Sequence, residues 1–389
     1  MGVSLLPSNI LCKIIISAQV CIHDLHFPEY IQVEDNARIT TVVSQVCQHW
    51  RTATFAFPEL WVHIPCHSQQ LARLPQLIAH IERSQGRALT FSFYHPWTRE
   101  TDEEWITFVR KYIDRAEHIT ILDRDPRTVL SVVMANRTPN LRSLAFRLLG
   151  GTANLAILSS ECTNAFERLR YVHAYGLVIY KTDPDSSTPK PIFPPGLVEM
   201  SLDVQEIPTQ TVLAPSAETL TSLTLGSRVS FKGSGPPVVL ISLQKLVVSD
   251  NTDFPRGLRV PNIVRLELRN FYTRSVHQLI RTLRNTWADM PVPALQDILI
   301  GLPEDCWRNG NGPMNDMSSL FASFPCVRRV HVDTRWPLVL GGWGRALRNE
   351  SYWPELRHVA VRNEETYEAL RWALPDSRRD VIKVDVLHT

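Results

Sequence analysis

Two short stretches decide the architecture: Leu220-Thr221-Ser222-Leu223-Thr224-Leu225 and, 23 residues later, Leu243-Gln244-Lys245-Leu246-Val247-Val248. Large aliphatic side chains occupy the first, fourth and sixth places. The last three places follow the two-residue period of a strand with one buried face. The same spacing returns outward in both directions. Upstream it reads Leu141/Leu144/Phe146, Leu169/Val172/Ala174 and Leu197/Met200/Leu202. Downstream it reads Ile263/Leu266/Leu268, Leu295/Ile298/Ile300, Val327/Val330/Val332 and Leu356/Val359/Val361.

First positions lie 28, 28, 23, 23, 20, 32, 32 and 29 residues apart. These intervals sit in or just above the range of leucine-rich repeats, roughly 20 to 29 residues. Helical patterns fall inside some of them, at Val276, Leu279, Ile280, Leu283 and Trp287, and at Met317, Leu320, Phe321 and Phe324. A strand followed by a helix or irregular return, stacked sideways, makes a parallel sheet with helices on its outer side. The repeats are degenerate. An asparagine three places after the last signature residue occurs only at Asn251, so the usual buried side-chain ladder is mostly missing. Pro184, Pro189, Pro191, Pro194 and Pro195 among Asp and Ser mark a surface loop between repeats.

The N-terminal segment has a different period. Ile10, Leu11, Ile14, Ile15 and Ala18 recur at helical spacing behind Ser8 and Asn9, which can cap the first amides. Ile39, Val42, Val43, Val46, Cys47 and Trp50 form one stripe of a second helix. Pro58-Glu59-Leu60-Trp61 suggests a further turn folding back on the pair. About sixty such residues bury a small core, so apolar residues beyond its needs seek a partner. Leu71, Leu74, Ile78 and Ile81, then Trp105, Phe108, Val109, Tyr112 and Ile113, predict two bracing helices before the repeats.

Leu6-Pro7 with Ile10-Leu11 and Ile14-Ile15, then Val43, Val46-Cys47, Trp50-Arg51 and Pro58-Glu59-Leu60-Trp61 resemble the F-box. In particular they are similar to the F-box-like proteins abundant in mushroom-forming fungi. Asn9 stands where that family usually carries glutamate. The expected fold class is therefore α/β: a three-helix F-box-like module over 1–66, connecting helices and a first strand over 67–115, and an irregular leucine-rich-repeat solenoid over 116–389.

The resemblance implies docking on the Skp-family adaptor of a cullin-RING ubiquitin ligase. Leu6, Pro7, Ile10, Leu11, Ile14, Val43, Val46, Trp50, Leu60 and Trp61 are the candidates for core or adaptor contact. The repeats would then hold a target protein. The alternative is a leucine-rich-repeat interaction scaffold without a ligase role.

Residues alternating with the buried positions face the inner side of the repeat sheet. Tyr171 and Tyr175 are aromatic anchors there, and Arg265, Arg269, Arg329, His331 and Arg362 make a mixed, somewhat cationic face for an acidic or phosphorylated peptide. Glu267, Asp297 and Asp333 interrupt it, and a solvated face of cross-strand charge pairs is the competing reading.

Chemistry of other kinds finds little material. Forty-one basic against 39 acidic side chains leave no field for nucleic acid or an anionic membrane. Lys13 interrupts the one apolar run, Ile10 to Ile22, which is too short to span a bilayer. Seven cysteines without a C-x-x-C pair fit reduced thiols in the cytoplasm or nucleus. The clusters Cys21/His23/Asp24/His26 and His63/Cys66/His67 lack the partner pair that a zinc site needs. No phosphate-binding or nucleophile motif occurs, so neither an enzyme nor a cofactor is expected.

Overall fold

A computed structural model of the chain describes residues 6–19, 30–67, 71–94, 102–123, 127–136, 138–148, 166–178, 193–205, 207–227, 229–232, 236–249, 258–269, 295–301, 322, 324–333, 347–349 and 351–386. The chain divides into two compact units, Met1–Leu197 and Val198–Thr389. No helix among the described residues is long and apolar enough to cross a membrane.

The first unit opens with α1 (Ser8–Ala18), α2 (Tyr30–Val46), α3 (Gln48–Phe55) and a 3-10 turn, Pro58–Trp61. Leu11, Cys12, Ile15, Ala53, Leu60 and Trp61 make its core, with Ile39, Val43, Trp50 and Phe57 packed around them. The stripe expected to run unbroken from Ile39 to Trp50 is interrupted: Cys47 is extended, with φ −161° and ψ 173°, and α3 restarts at Gln48.

The face that α2 buries is Val33, Asn36, Ala37, Thr40 and Ser44, a helical stripe that is largely polar. It is stable there because its polar atoms are paired. Thr40 Oγ1 lies 2.9 Å from the Leu60 carbonyl and accepts Gln19 Nε2 at 2.8 Å, and Asn36 Nδ2 meets His63 Nε2 at 3.4 Å. Trp61 Nε1 donates to the Thr54 carbonyl at 2.9 Å, closing the turn onto α3.

There follow β1 (His63–His67), α4 (Leu74–Arg83), β2 (Leu89–Tyr94), α5 (Asp102–Tyr112), β3 (Ala116–Asp123), α6 (Arg127–Ala135), β4 (Ser143–Leu148) and β5 (Tyr171–Val178). The strands pair in chain order, all parallel, which requires a crossover between each pair. The expected bracing helices are α4 and α5. On α4 the buried residues are Leu77, His80 and Ile81, one step round from the expected stripe. Three strands thus precede the first of the nine signatures.

The second unit carries β6 (Glu199–Gln205), β7 (Ser222–Leu225), β8 (Lys245–Ser249), β9 (Arg265–Arg269), β10 (Asp297–Gly301), β11 (Arg329–Asp333), β12 (His358–Val361) and β13 (Lys383–Val386). Each pairs in parallel with the next and the sheet does not close. Every signature in the sequence coincides with a strand, and the register aligns like with like: Leu223, Leu246, Leu266, Ile298, Val330 and Val359 stand side by side. All signature residues from Leu141 to Val361 are at most 2% exposed.

Where an asparagine ladder would otherwise fasten the turns, a main-chain ladder does so. The Thr221 carbonyl accepts from Gln244 N at 2.9 Å and Lys245 N at 3.0 Å, and the Gln244 carbonyl from Val264 N at 2.8 Å and Arg265 N at 2.9 Å. Val264, Gln296 and Arg328 repeat the arrangement, so both lone pairs at each strand entrance are used. After β12, α7 (Glu364–Ala373) starts on a capping box: Asn363 accepts from Thr366 N and Thr366 reaches back to the Asn363 amide. The helices expected at 276–287 and 317–324, and the proline-rich loop up to Pro191, lie outside the described residues, apart from Ala322, which is helical, and Phe324, which is not.

Candidate interaction surfaces

The helical module separates its apolar residues into two groups. Leu11, Leu60 and Trp61 are fully buried, so these three of the sequence candidates serve the core. Val43 and Trp50 are packed against it and Leu6 is half-buried, its carbonyl 2.8 Å from His49 Nε2. Pro7, Ile10, Ile14 and Val46 face solvent, the last three at 40%, 49% and 58% exposure.

On α1, Ile10 and Ile14 stand one turn apart, and on α2 Val46 has Val42, 53% exposed, one turn before it. Val42 belongs to the apolar stripe of the sequence, but α2 buries Val33, Asn36, Ala37, Thr40 and Ser44, which leaves Val42 outside. Each helix therefore presents a short apolar stripe that its own core does not use.

The second surface is the face of the sheet opposite the signature residues. In the first unit it is partly closed: Ser143 and Ala145, which alternate with Leu144 and Phe146, are buried, as are Thr90, Ser92 and Thr120. On β5, Tyr171 and Tyr175 are half-buried. The Tyr175 ring lies 4.3 Å from that of His173, and the Arg147 guanidinium stands 5.9 Å over it. Burial and Arg147 together pull the His173 pKa down to about 4.

In the second unit the face is charged and almost wholly self-paired. Asp297 takes two 2.6 Å hydrogen bonds from Arg329, Arg362 reaches Asp333 at 3.2 Å, and Asp385 meets His358 at 2.7 Å and Lys383 at 2.8 Å. Burial holds His331 below its ordinary pKa, with Arg265 and His358 acting in the same direction and Asp333 and Glu267 against it.

Glu267 is the buried charge of this face among the described residues, at 2% exposure. Its Oε1 contacts Lys245 Nζ at 3.2 Å and Arg265 Nε at 2.9 Å, and its Oε2 contacts Arg269 Nη2 at 2.7 Å. Burial raises its pKa, but the hydrogen bonds and charges of Arg269 and Lys245 outweigh burial and leave it lowered.

From β8 to β13 this face carries six cations, Lys245, Arg265, Arg269, Arg329, Arg362 and Lys383, against four carboxylates, Glu267, Asp297, Asp333 and Asp385. Three of each balance away from Glu267. The whole surplus of two positive charges therefore lies on the three half-exposed cations that Glu267 holds together.

Cys66 is buried, with its thiol pKa pushed well up by burial, and His63 of the same strand is buried against Asn36. Among the described residues no group of His, Cys, Asp or Glu could hold a metal ion; the Cys21 to His26 cluster lies outside them.

The fold and these surfaces define an α/β protein built on long parallel sheets, with a helical module at its N-terminal end and a charged sheet face at its C-terminal end. Compared with family models and with curated proteins, the chain matches none.

Proposed function

We propose that this protein is a substrate-recognition adaptor of a Skp-cullin-F-box type ubiquitin ligase. Its F-box-like helices dock on the Skp-family adaptor, and its leucine-rich-repeat sheet holds a target protein. The observation that carries the reading is the pair of unused stripes, Ile10 with Ile14 and Val42 with Val46, on a module whose core is already filled by Leu11, Leu60 and Trp61. Apolar residues in excess of a small core are what an obligate docking partner would cover.

On the target side, the surplus cations Lys245, Arg265 and Arg269 would receive an acidic or phosphorylated side chain, since Glu267 already fixes their orientation. Catalysis belongs to other subunits; this chain raises the effective concentration of the target near the transfer machinery.

The test is a pull-down of the full chain with a fungal Skp-family adaptor, beside an Ile14→Asp, Val46→Asp variant. Both substituted positions are exposed, so the variant folds. Capture of the wild type and loss in the variant supports the ligase reading. A folded wild type that captures no adaptor overturns it and leaves an interaction scaffold.

A further inference from the structure

Between α2, α3 and α4 lies a cleft of about 410 Å³ that no part of the proposed function uses. Its volume falls in the range of small-ligand sites, roughly 300 to 1,000 Å³. Two arginines line it, Arg51 from α3 and Arg83 from α4, with Gln45, Gln76, Phe55 and His80, and no carboxylate does so among the described residues.

The donors are oriented and largely unspent. Arg51 Nε donates to the Ser44 carbonyl at 3.0 Å, which leaves its terminal nitrogens without a protein partner among the described residues. Arg83 is held by stacking, with its guanidinium carbon 4.6 Å from the ring centroids of both Phe55 and Trp61. It makes no ion pair among the described residues.

By contrast the hydroxyls on the α2 side are occupied: Ser44 Oγ donates to the Thr41 carbonyl at 2.7 Å and Thr41 Oγ1 to the Ala37 carbonyl at 2.9 Å. Because that Thr41 hydrogen is committed, Thr41 Oγ1 accepts from His80 Nε2, 3.2 Å away. His80 is thereby fixed as the Nε2–H tautomer. It is 2% exposed, its Nδ1 lone pair meets no donor, and it packs edge-on against Trp61 at 4.8 Å. The cleft thus offers two guanidiniums and two amides, with a neutral, rigid imidazole in its wall.

We propose that this cleft binds a phosphate monoester, its phosphate between Arg51 and Arg83 and its organic part against Phe55. A dianion with three oxygens can engage two separate guanidiniums at once, where a single carboxylate satisfies one fork. The phosphate fills only a fraction of the volume, which is why an ester rather than the bare ion is the ligand.

His80 supplies an internal reporter. Burial first, and the Arg83 charge second, hold its pKa at about 4. An anion beside Arg83 offsets that charge and moves the His80 titration upward.

The experiment titrates the full chain with phenyl phosphate, inorganic phosphate and benzoate by calorimetry, and follows the histidine ring resonances by NMR. Phenyl phosphate is expected to bind at least tenfold more tightly than either other probe and to raise the His80 midpoint. Arg51→Gln, an exposed position, is expected to weaken phenyl phosphate at least tenfold while the chain stays folded, with only the small fall in melting temperature that loss of the Ser44 carbonyl bond brings. Arg51→Lys, which keeps the charge but not the fork, should fall between. The proposal is overturned if the folded wild type shows no binding at millimolar phenyl phosphate, or if Arg51→Gln binds it as the wild type does. It is equally overturned if binding leaves the His80 resonances unmoved.

Discussion

Replacing Glu267 by glutamine removes one negative charge and changes almost nothing else in volume. In the wild type this carboxylate is 2% exposed and accepts from three cations at 3.2, 2.9 and 2.7 Å, each of which is about half exposed. Breaking a fully buried ion pair from one side costs about 3 to 5 kcal/mol. Here the abandoned partners can be hydrated, and exposed pairs are worth about 1 kcal/mol or less. An intermediate loss of about 2 kcal/mol at pH 7 is expected, most of it from three like charges left without their common counter-ion.

The pH dependence identifies the source. Glu267 has a lowered pKa in the folded chain, so its contribution is fully present above its ordinary value of 4.5 and is lost as pH falls through the folded value. Urea unfolding of wild type and Glu267→Gln, compared at pH 7 and again well below pH 4, should therefore show a gap that closes in acid. A variant as stable as the wild type at pH 7, or a gap that does not change with pH, would refute the argument that the carboxylate organises the three cations.

Two further outcomes are expected. Leu246→Ala, at a fully buried position flanked in register by Leu223 and Leu266, should lower stability by about 2 to 5 kcal/mol in urea unfolding, the range of such core truncations. His80, held at a pKa of about 4 in the folded chain, takes up its proton near pH 6.5 when unfolded, so stability should fall as pH drops from 6.5 toward 4, by up to about 3 kcal/mol. His80→Gln should flatten that slope in thermal melts across the same range.

The strands from β4 to β12 were legible because three apolar residues at a fixed spacing mark each one and the mark returns every 20 to 32 residues. Of the three strands before them, the sequence leads one to expect only one, within 67–115. In β2, Leu89, Phe91 and Phe93 alternate with Thr90 and Ser92 as in a strand with one buried face, yet all five are buried, so the alternation does not show that both faces are covered.

Helix α2 was half legible for a related reason. Its buried stripe is Asn36, Thr40 and Ser44 with Val33 and Ala37, so a search for apolar periodicity settles on Val42 and Val46, which are outside. Buried polar residues become acceptable only through partners distant in sequence, Gln19 and Leu60 for Thr40, and those partners cannot be read from spacing. A usable signal did exist further on. Thr138, Phe166, Leu240, Phe324 and Trp353 each stand three residues before a signature, are buried, and accept a turn hydrogen bond from its first residue.

The same logic explains why the arginines named from sequence do not act alike. Arg265-Leu266-Glu267-Leu268-Arg269 places a carboxylate between two guanidiniums on one face, which alternation alone reveals. What alternation cannot reveal is the third cation: Lys245 arrives from β8, where register sets it beside Arg265 and Val247 beside Glu267.

Arg329 and Arg362 looked equivalent to Arg265 in sequence, yet each finds its own aspartate on a neighbouring strand, Asp297 and Asp333. Their charge is spent within the sheet. Because the signature residues hold the register, an exposed charge on this face can change without disturbing the core. The recognition surface is therefore set by cross-strand arithmetic, and on this chain that arithmetic leaves its surplus at Glu267 alone.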